Sequence, residues 1–144
     1  MNVLIDTSIW SLGLRRKKRP SSKENELIGE LTNLIQEVRA SIIGPIRQEI
    51  LSGISDQNQY TVLRDRLRAF EDLPLLTSDY ETAADFHNLC RRNGIQGSHI
   101  DFLICAVAYL NRMTIFTTDE DFTLYSKHLK IDLHRPRTEV TAIE

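Results

Sequence analysis

The feature that most constrains this chain is a short apolar run, Val3-Leu4-Ile5, that ends directly in Asp6. Three apolar residues are too few for a helix of their own and are typical of a strand buried on both faces of a parallel sheet. Asp6 then lies at the carboxyl end of that strand, where open α/β sheets bind their ligands. Because a carboxylate on a buried strand is costly unless a cation meets it, we expect a divalent metal there.

Beyond this run, short apolar stretches alternate with stretches whose apolar residues recur at helical spacing. We predict further strands at 40–43 and 114–117, and weaker edge strands at 73–76 and 131–133. The predicted helices begin near residues 7 and 45, cover 22–39, 56–70 and 78–93, extend from a cap at 98 to 110, and include a short turn after 118. Strands that alternate with helices predict an α/β fold, here a three-layer α/β/α sandwich around a mostly parallel sheet.

The length and composition indicate one ordinary globular domain with a real core. The 144 residues carry a formal charge of −2, which argues neither for nor against nucleic acid. Cys90 and Cys105 are isolated and indicate reduced thiols in a cytoplasmic protein. The longest apolar run, 102–110, is too short to cross a bilayer, so we expect no membrane partner. We divide the chain into a domain over 1–134 and a polar tail over 135–144.

Acidic residues lie near the ends of predicted strands or the starts of predicted helices in four separate segments, with Glu49 one to two helical turns after the second strand. They are Asp6, Glu49, Asp101 and the pair Asp119 and Asp121. For any one of them, a helix cap or a pairing with a distant arginine is an equally good explanation. For the set, a shared cation is the better explanation, because like charges packed together repel unless they are neutralised. Oxygen ligands alone favour Mg²⁺ or Mn²⁺, whereas the two cysteines lack the spacing of a zinc site.

Four motifs in order resemble those of PIN domains, and their order and the chain length resemble the VapC toxins of bacterial toxin–antitoxin pairs. The motifs are Asp6-Thr7-Ser8, Arg47-Gln48-Glu49-Ile50, Ile100-Asp101-Phe102-Leu103-Ile104-Cys105-Ala106 and Thr117-Thr118-Asp119-Glu120-Asp121-Phe122. The resemblance implies a small α/β/α sandwich that acts as a metal-dependent endoribonuclease in the bacterial cytoplasm.

The resemblance also assigns roles to individual positions. It implies a catalytic acidic quartet of Asp6, Glu49, Asp101 and Asp119, with Asp121 as a further ligand of Mg²⁺ or Mn²⁺. It implies that Ser8 and Thr118 orient the carboxylates. The implied partners are an RNA substrate (tRNA, rRNA or mRNA), a cognate antitoxin protein and a second copy of the chain in a homodimer. An antitoxin groove would use apolar surface near Trp10 to Leu14 or 27–34, although most of these residues suit a plain core.

Five consecutive cations, Arg15, Arg16, Lys17, Lys18 and Arg19, follow the first predicted helix. Such a run can attract RNA phosphates, and the affinity that it supplies falls as salt rises. A solvated charged loop with no ligand is an equally good interpretation of the run alone.

Two other classes of function remain as alternatives. A non-catalytic interaction module could keep the fold and use the acids structurally. A small-molecule phosphatase would place a second acid two residues after the strand-end aspartate, and Ser8 stands there instead. The chain has no glycine-rich phosphate loop and no serine nucleophile elbow, which argues against nucleotide-cofactor and acyl-transfer chemistry.

Overall fold

A three-stranded parallel sheet forms the centre of the computed structural model, which describes residues 1–15 and 19–137. The strands β1 (Val3–Ile5), β2 (Ala40–Ser41) and β3 (Thr114–Phe116) lie in the order β2-β1-β3. Both neighbours run parallel to β1, with Ile5 opposite Phe116 in β3. The first strand is therefore central and fully buried, as its uninterrupted apolar sequence predicts.

The edges of the sheet are shorter than the sequence predicts. On one side Asp72 makes a single bridge to Ile42, and on the other Leu133 makes a single bridge to Ile115. The strand predicted at 73–76 is wrong, because only the N–H of Leu73 continues the pairing, with a hydrogen bond to the Ile42 carbonyl. Pro74 follows and has no N–H with which to extend the ladder.

Six helices of the described residues lie between the strands, and a seventh follows β3. They are α1 (Thr7–Leu14), α2 (Ser22–Gln36), α3 (Gly44–Leu51), α4 (Gln57–Leu67), α5 (Thr77–Arg92), α6 (His99–Leu110) and α7 (Asp121–Tyr125). The predicted α/β fold with a parallel sheet is confirmed. Within the described residues, no helix combines the length and the apolar character that crossing a bilayer requires.

The second helix ends three residues before the predicted boundary. At its start, Ser21 and Glu24 form a reciprocal capping box, as the sequence indicates. At its end, Val38 adopts a left-handed conformation with φ of 56°. The N–H groups of Val38 and Arg39 then bond back to the carbonyls of Ile35 and Leu34, which closes the helix. Glycine usually occupies that position, so a valine there gives no signal of a helix stop.

The core lies on both sides of the first strand. The most apolar helix, α6, is buried from Phe102 to Ala108 and packs against α5, β1 and β3. Its burial on nearly every side explains why its sequence has so little polar character. At the carboxyl end, His134 and Arg137 contact Glu30 of α2. Residues 138–144 of the predicted polar tail lie outside the described residues, and the division of the chain at 134 stays a prediction.

Candidate active site

Asp6 lies immediately after β1 and is only 8% exposed. Its backbone N–H continues the sheet with a 2.9 Å hydrogen bond to the Phe116 carbonyl. Its Oδ2 atom accepts hydrogen bonds from the hydroxyls of Ser8, at 3.0 Å, and Thr117, at 2.7 Å. Two donors from opposite ends of the chain therefore fix this carboxylate at the carboxyl end of the sheet, as the sequence predicts.

The two hydroxyls that hold Asp6 also bind the loop after β3. The N–H of Asp119 donates to the Thr117 hydroxyl at 3.0 Å, and the N–H of Thr118 donates to the Ser8 hydroxyl at 3.1 Å. The orienting role predicted for Ser8 agrees with this geometry. For the second position a correction is needed, because the hydroxyl that reaches Asp6 belongs to Thr117, while Thr118 contributes its backbone N–H.

Strand register could have identified Thr117. It follows Phe116 directly, Asp6 follows Ile5 directly, and these two apolar residues are partners across parallel strands. Residues one step beyond paired positions lie side by side at the same edge of the sheet. The signal requires the pairing of β1 with β3, which a single sequence does not specify.

Asp101 is positioned by a helix cap and by a buried phenol. Ser98 caps α6 by accepting the Asp101 N–H at 3.1 Å, as predicted. The hydroxyl of Tyr125 donates to Oδ2 of Asp101 at 2.6 Å. Sequence reasoning missed Tyr125, which lies on α7 and is fully buried. Gly97 leaves room for it, because a Cβ atom at that position would lie 2.3 Å from the Tyr125 hydroxyl.

Three carboxylates form a compact group that we call the acidic cluster, namely Asp101, Asp119 and Asp121. One oxygen from each lies within 4.8 Å of the others, the only such three-ligand group among the residues that the structure describes. The N–H of Asp121 donates to Oδ1 of Asp119 at 2.9 Å, which sets the turn between them. This spacing fits one cation with oxygen ligands, and it brings together three of the five predicted metal ligands.

Electrostatics connect Asp101 with the other acids. Burial raises the pKa of the Asp101 carboxyl, and the hydrogen bond from Tyr125 opposes that rise. The negative charges of Asp119 and Asp6 raise it further. Asp6 lies outside the acidic cluster yet close enough for its charge to act on Asp101. The donor set is thus all oxygen, partly desolvated and mutually repulsive, which fits a hard divalent cation such as Mg²⁺ or Mn²⁺.

Glu49 lies at the margin of this region. It is exposed on α3, and its Oε1 atom accepts the Thr7 hydroxyl at 2.5 Å. Burial raises the pKa of Asp6 most, the hydrogen bonds from Thr117 and Ser8 lower it, and the charge of Glu49 adds a smaller increase. Glu49 therefore faces Asp6, although it does not belong to the acidic cluster.

The basic run begins at the other end of α1. Arg15 is exposed, and its guanidinium donates to the Ile50 carbonyl at 3.2 Å. Arg19 is also exposed, whereas Arg16, Lys17 and Lys18 lie outside the described residues. Since α1 has eight residues, the run starts roughly 12 Å along the helix axis from Thr7. Its predicted contact with RNA stays a prediction.

Residues 3–127 match the family model of the PIN domain. The chain is also 32% identical over 131 residues to a VapC ribonuclease of Mycobacterium bovis and to ribonuclease VapC11 of Mycobacterium tuberculosis. Each alignment covers 87% of this chain and 92% of the relative.

Solved structures share the fold at much lower identity. FitAcB from Neisseria gonorrhoeae matches with a TM-score of 0.74 at 19% identity, over 93% of this chain and 97% of that one. VapBC2 from Rickettsia felis, bound to a DNA fragment from its promoter, matches with a TM-score of 0.71 at 16% identity, over 93% and 98%. These likenesses agree with the predicted α/β/α sandwich.

Proposed function

This chain belongs to the PIN-domain family and to its VapC ribonucleases, and from that premise we propose that it hydrolyses RNA as the toxin of a toxin–antitoxin pair. The observation that carries the proposal is the convergence of acids from distant segments at the carboxyl end of one sheet. Asp6 follows β1, Asp101 begins α6, and Asp119 follows β3. Their mutual repulsion is difficult to explain in a site that binds nothing.

The acidic cluster and Asp6 would hold Mg²⁺ or Mn²⁺ in this proposal. A divalent ion bound there supplies positive charge against the phosphate and makes a nearby water more acidic. Hydrolysis then joins a water oxygen to phosphorus and breaks the bond to the 3′-oxygen, so the products carry a 5′-phosphate and a 3′-hydroxyl.

The neighbouring residues keep the acids in place. Ser8 and Thr117 hold the Asp6 carboxylate at its Oδ2 atom. Tyr125 does the same for Asp101. Groups that orient ligating carboxylates in this way commonly change metal affinity or activity by about 10–100-fold when they are removed. Glu49, held by Thr7, is assigned to the outer edge of the site.

Metal removal is the direct test of this activity. We expect the purified chain to leave single-stranded RNA intact in EDTA and to cut it after excess Mg²⁺ or Mn²⁺ is added. Each product should begin with a 5′-phosphate, which end-specific ligation and sequencing detect. Cleavage that is equally fast in EDTA would contradict the proposal. An inactive protein whose melting temperature is the same with and without Mg²⁺ or Mn²⁺ would instead favour the non-catalytic interaction module.

An acidic site needs help to attract a polyanion, and we propose that the run from Arg15 to Arg19 supplies it. Cations that contact phosphates release counterions, so this contribution falls as salt rises. Of this run, Arg15 and Arg19 are exposed in the described residues.

For the antitoxin we propose a docking surface on α1, α2 and α4. A cavity of about 380 Å³ is lined by Leu12, Leu31 and Ile35, and a second of about 660 Å³ shares Leu14 and Arg66 with it. The core interpretation holds for most of the predicted groove residues, since Trp10, Leu27, Leu31 and Leu34 are buried. The surface that stays open suits an apolar helix of a partner, which fits the toxin–antitoxin role.

Co-purification tests this surface. The test uses, as tagged bait, the product of any short reading frame that adjoins the gene. We expect the cognate antitoxin to retain the wild-type chain and to retain Ile35→Glu at least about 10-fold less, since burying an unpaired charge is costly. Gln36→Glu is the matched control, because Gln36 adjoins Ile35 in the chain, is exposed and does not line the cavity. Equal retention of the two variants would place the partner elsewhere. A second copy of the chain remains part of the proposal as a homodimer.

A further inference from the structure

A groove of about 280 Å³ lies between α5 and α6, beside the start of α3. Aromatic and amide side chains line it: Tyr80, His87 and Asn88 from α5, with His99 and Phe102 from α6. None of its lining residues is acidic. This composition differs sharply from that of the acidic cluster.

The groove and the acidic cluster share one structural support. His99 lies two residues before Asp101, in the same first turn of α6. The Phe102 ring contacts the His87 ring, with centroids 5.2 Å apart, and the Tyr125 ring, with centroids 4.9 Å apart. Tyr125 in turn donates to Asp101. The same aromatic group therefore forms a wall of the groove and supports a carboxylate of the cluster.

The two imidazoles are available to a ligand. Their ring centroids lie 5.4 Å apart. Within the described part of the chain, no nitrogen of either ring makes a hydrogen bond. His99 is exposed and His87 is half-buried. Ala83 and Ala84 also line the groove, and their small side chains leave the space open in front of the rings.

We propose that this groove binds an unpaired base of the RNA next to the scissile phosphate, an inference that rests on the proposed function. Splayed bases stack on aromatic and histidine rings, and their polar edges form hydrogen bonds with side chains such as Asn88. A base carries no negative charge, so it needs no cation in the groove. The groove lies within one helical turn of Asp101, a carboxylate that would hold the metal facing the phosphate. The groove would then select and position the nucleotide beside the cut.

The test compares variants on RNA with and without the base. A single-stranded RNA whose cut bond has been mapped with the wild type is made again with an abasic ribose at each nucleotide that flanks the bond. We expect His87→Ala and His99→Ala each to raise KM about 10-fold on the intact RNA, in the range of one lost base stack, with little change in kcat. On the RNA that lacks the bound base, wild type and variants should have the same KM. His87→Phe, which keeps a ring, should recover part of the loss.

His128→Ala is the matched control, since this histidine is exposed and does not line the groove. An equal rise in the KM of the variants on intact and on abasic RNA would overturn the inference. So would a wild-type KM that no abasic substitution changes. If the wild type sediments as a dimer and the variants sediment as monomers, without a base-dependent change in KM, the groove binds a second copy of the chain instead. A wild type that cuts no RNA in Mg²⁺ or Mn²⁺ refutes the proposed function itself, which is a separate result.

Discussion

Asp101→Asn should slow RNA cleavage severely and, in metal-free buffer near neutral pH, make the protein more stable. We expect the cleavage rate to fall by about 10²–10³-fold, the range found when one preorganised electrostatic group is removed from a reaction centre. The amide can still accept the hydrogen bond from Tyr125, so the local structure should persist. A gain in stability with a loss of activity is the behaviour expected of a strained functional group.

The pH dependence of that gain follows from the raised pKa of Asp101, which burial causes and the charges of Asp119 and Asp6 increase. Because its pKa in the folded state lies above the ordinary value, the group favours folding when it is protonated. That contribution is fully present below about pH 3.9, the ordinary value, and is lost as pH rises through the folded-state pKa. Asp101→Asn should therefore gain about 1 kcal/mol in unfolding free energy at pH 7 and little at pH 3.5.

Urea denaturation at the two pH values, in EDTA and again in Mn²⁺, checks this prediction. Bound Mn²⁺ should stabilise the wild type, since a ligand of the folded state adds unfolding free energy, and should stabilise the variant much less. Asp85→Asn, an exposed carboxylate on α5, is the matched control and should behave as the wild type in every condition. A variant that is less stable than the wild type at pH 7 in EDTA would show that Asp101 serves the fold and not a ligand.

The alternation of strands and helices could be read from the sequence because both periodicities are strong. The run 3–5 predicts a central buried strand, and the apolar spacing of α2 and α6 predicts their faces. The helix stop at Val38 could not be predicted, since its left-handed conformation is a tertiary outcome without a glycine to announce it. The single bridges of Asp72 to Ile42 and of Leu133 to Ile115 could not be predicted either, because they depend on which edges of the sheet the other elements leave uncovered.

Most acids of the candidate site were accessible to the same reasoning because Asp6 and Asp119 follow strands, whereas Asp101 and Asp121 begin helices. The residues that hold these acids in place could not be predicted. To predict Thr117 one must know the register of β1 with β3, and to predict Tyr125 one must know that α7 packs beside Gly97. The burial of Glu30 is hidden for a similar reason, since a glutamate in an amphipathic helix ordinarily faces water. Its partners arrive from a polar segment more than a hundred residues later.

That distant contact predicts that one substitution in the carboxyl-terminal segment lowers the stability of the fold. The Glu30 side chain is 2% exposed, and the guanidinium of Arg137 reaches both of its oxygens at 3.0 Å. His134 lies 2.6 Å from Oε2 of the same carboxylate. Removing one partner from a buried ion pair typically costs about 3–5 kcal/mol, because the remaining charge stays buried without compensation. Since Arg137 is 45% exposed and His134 remains, we expect Arg137→Ala to lower the unfolding free energy by clearly less than the loss of a partner from a fully buried pair.

The loss should depend on pH, because the Glu30 carboxyl contributes to folding with the opposite pH dependence to that of Asp101. Burial alone would raise the pKa of Glu30, but the hydrogen bonds from Arg137 and His134 outweigh it and hold that pKa below its usual value. A lowered pKa contributes stability above the ordinary value, and the contribution is lost as pH falls through the folded-state pKa. The difference between wild type and Arg137→Ala should therefore be full at pH 7 and should shrink below about pH 4.

Denaturant unfolding across that pH range measures the difference. Arg135→Ala is the matched control, since this arginine is an exposed neighbour that the structure does not place on Glu30. Arg137→Lys keeps the charge but not the planar guanidinium, so its unfolding free energy should lie between those of the wild type and Arg137→Ala. Equal unfolding free energies for Arg135→Ala and Arg137→Ala would contradict the role of the buried pair.

The same contact should leave the chemistry intact. The His134 N–H bonds to the Ile115 carbonyl at 2.7 Å, and the His134 ring lies against Phe116, so the carboxyl-terminal segment is fastened to β3. The strand keeps its pairing with β1 on its other side, and it is this pairing that places Thr117 beside Asp6. We therefore expect Arg137→Ala to cut RNA at the wild-type rate per folded molecule at 20 °C and to lose activity only where it unfolds. A lower rate at that temperature, with the protein fully folded by circular dichroism, would mean that the segment also positions the active site.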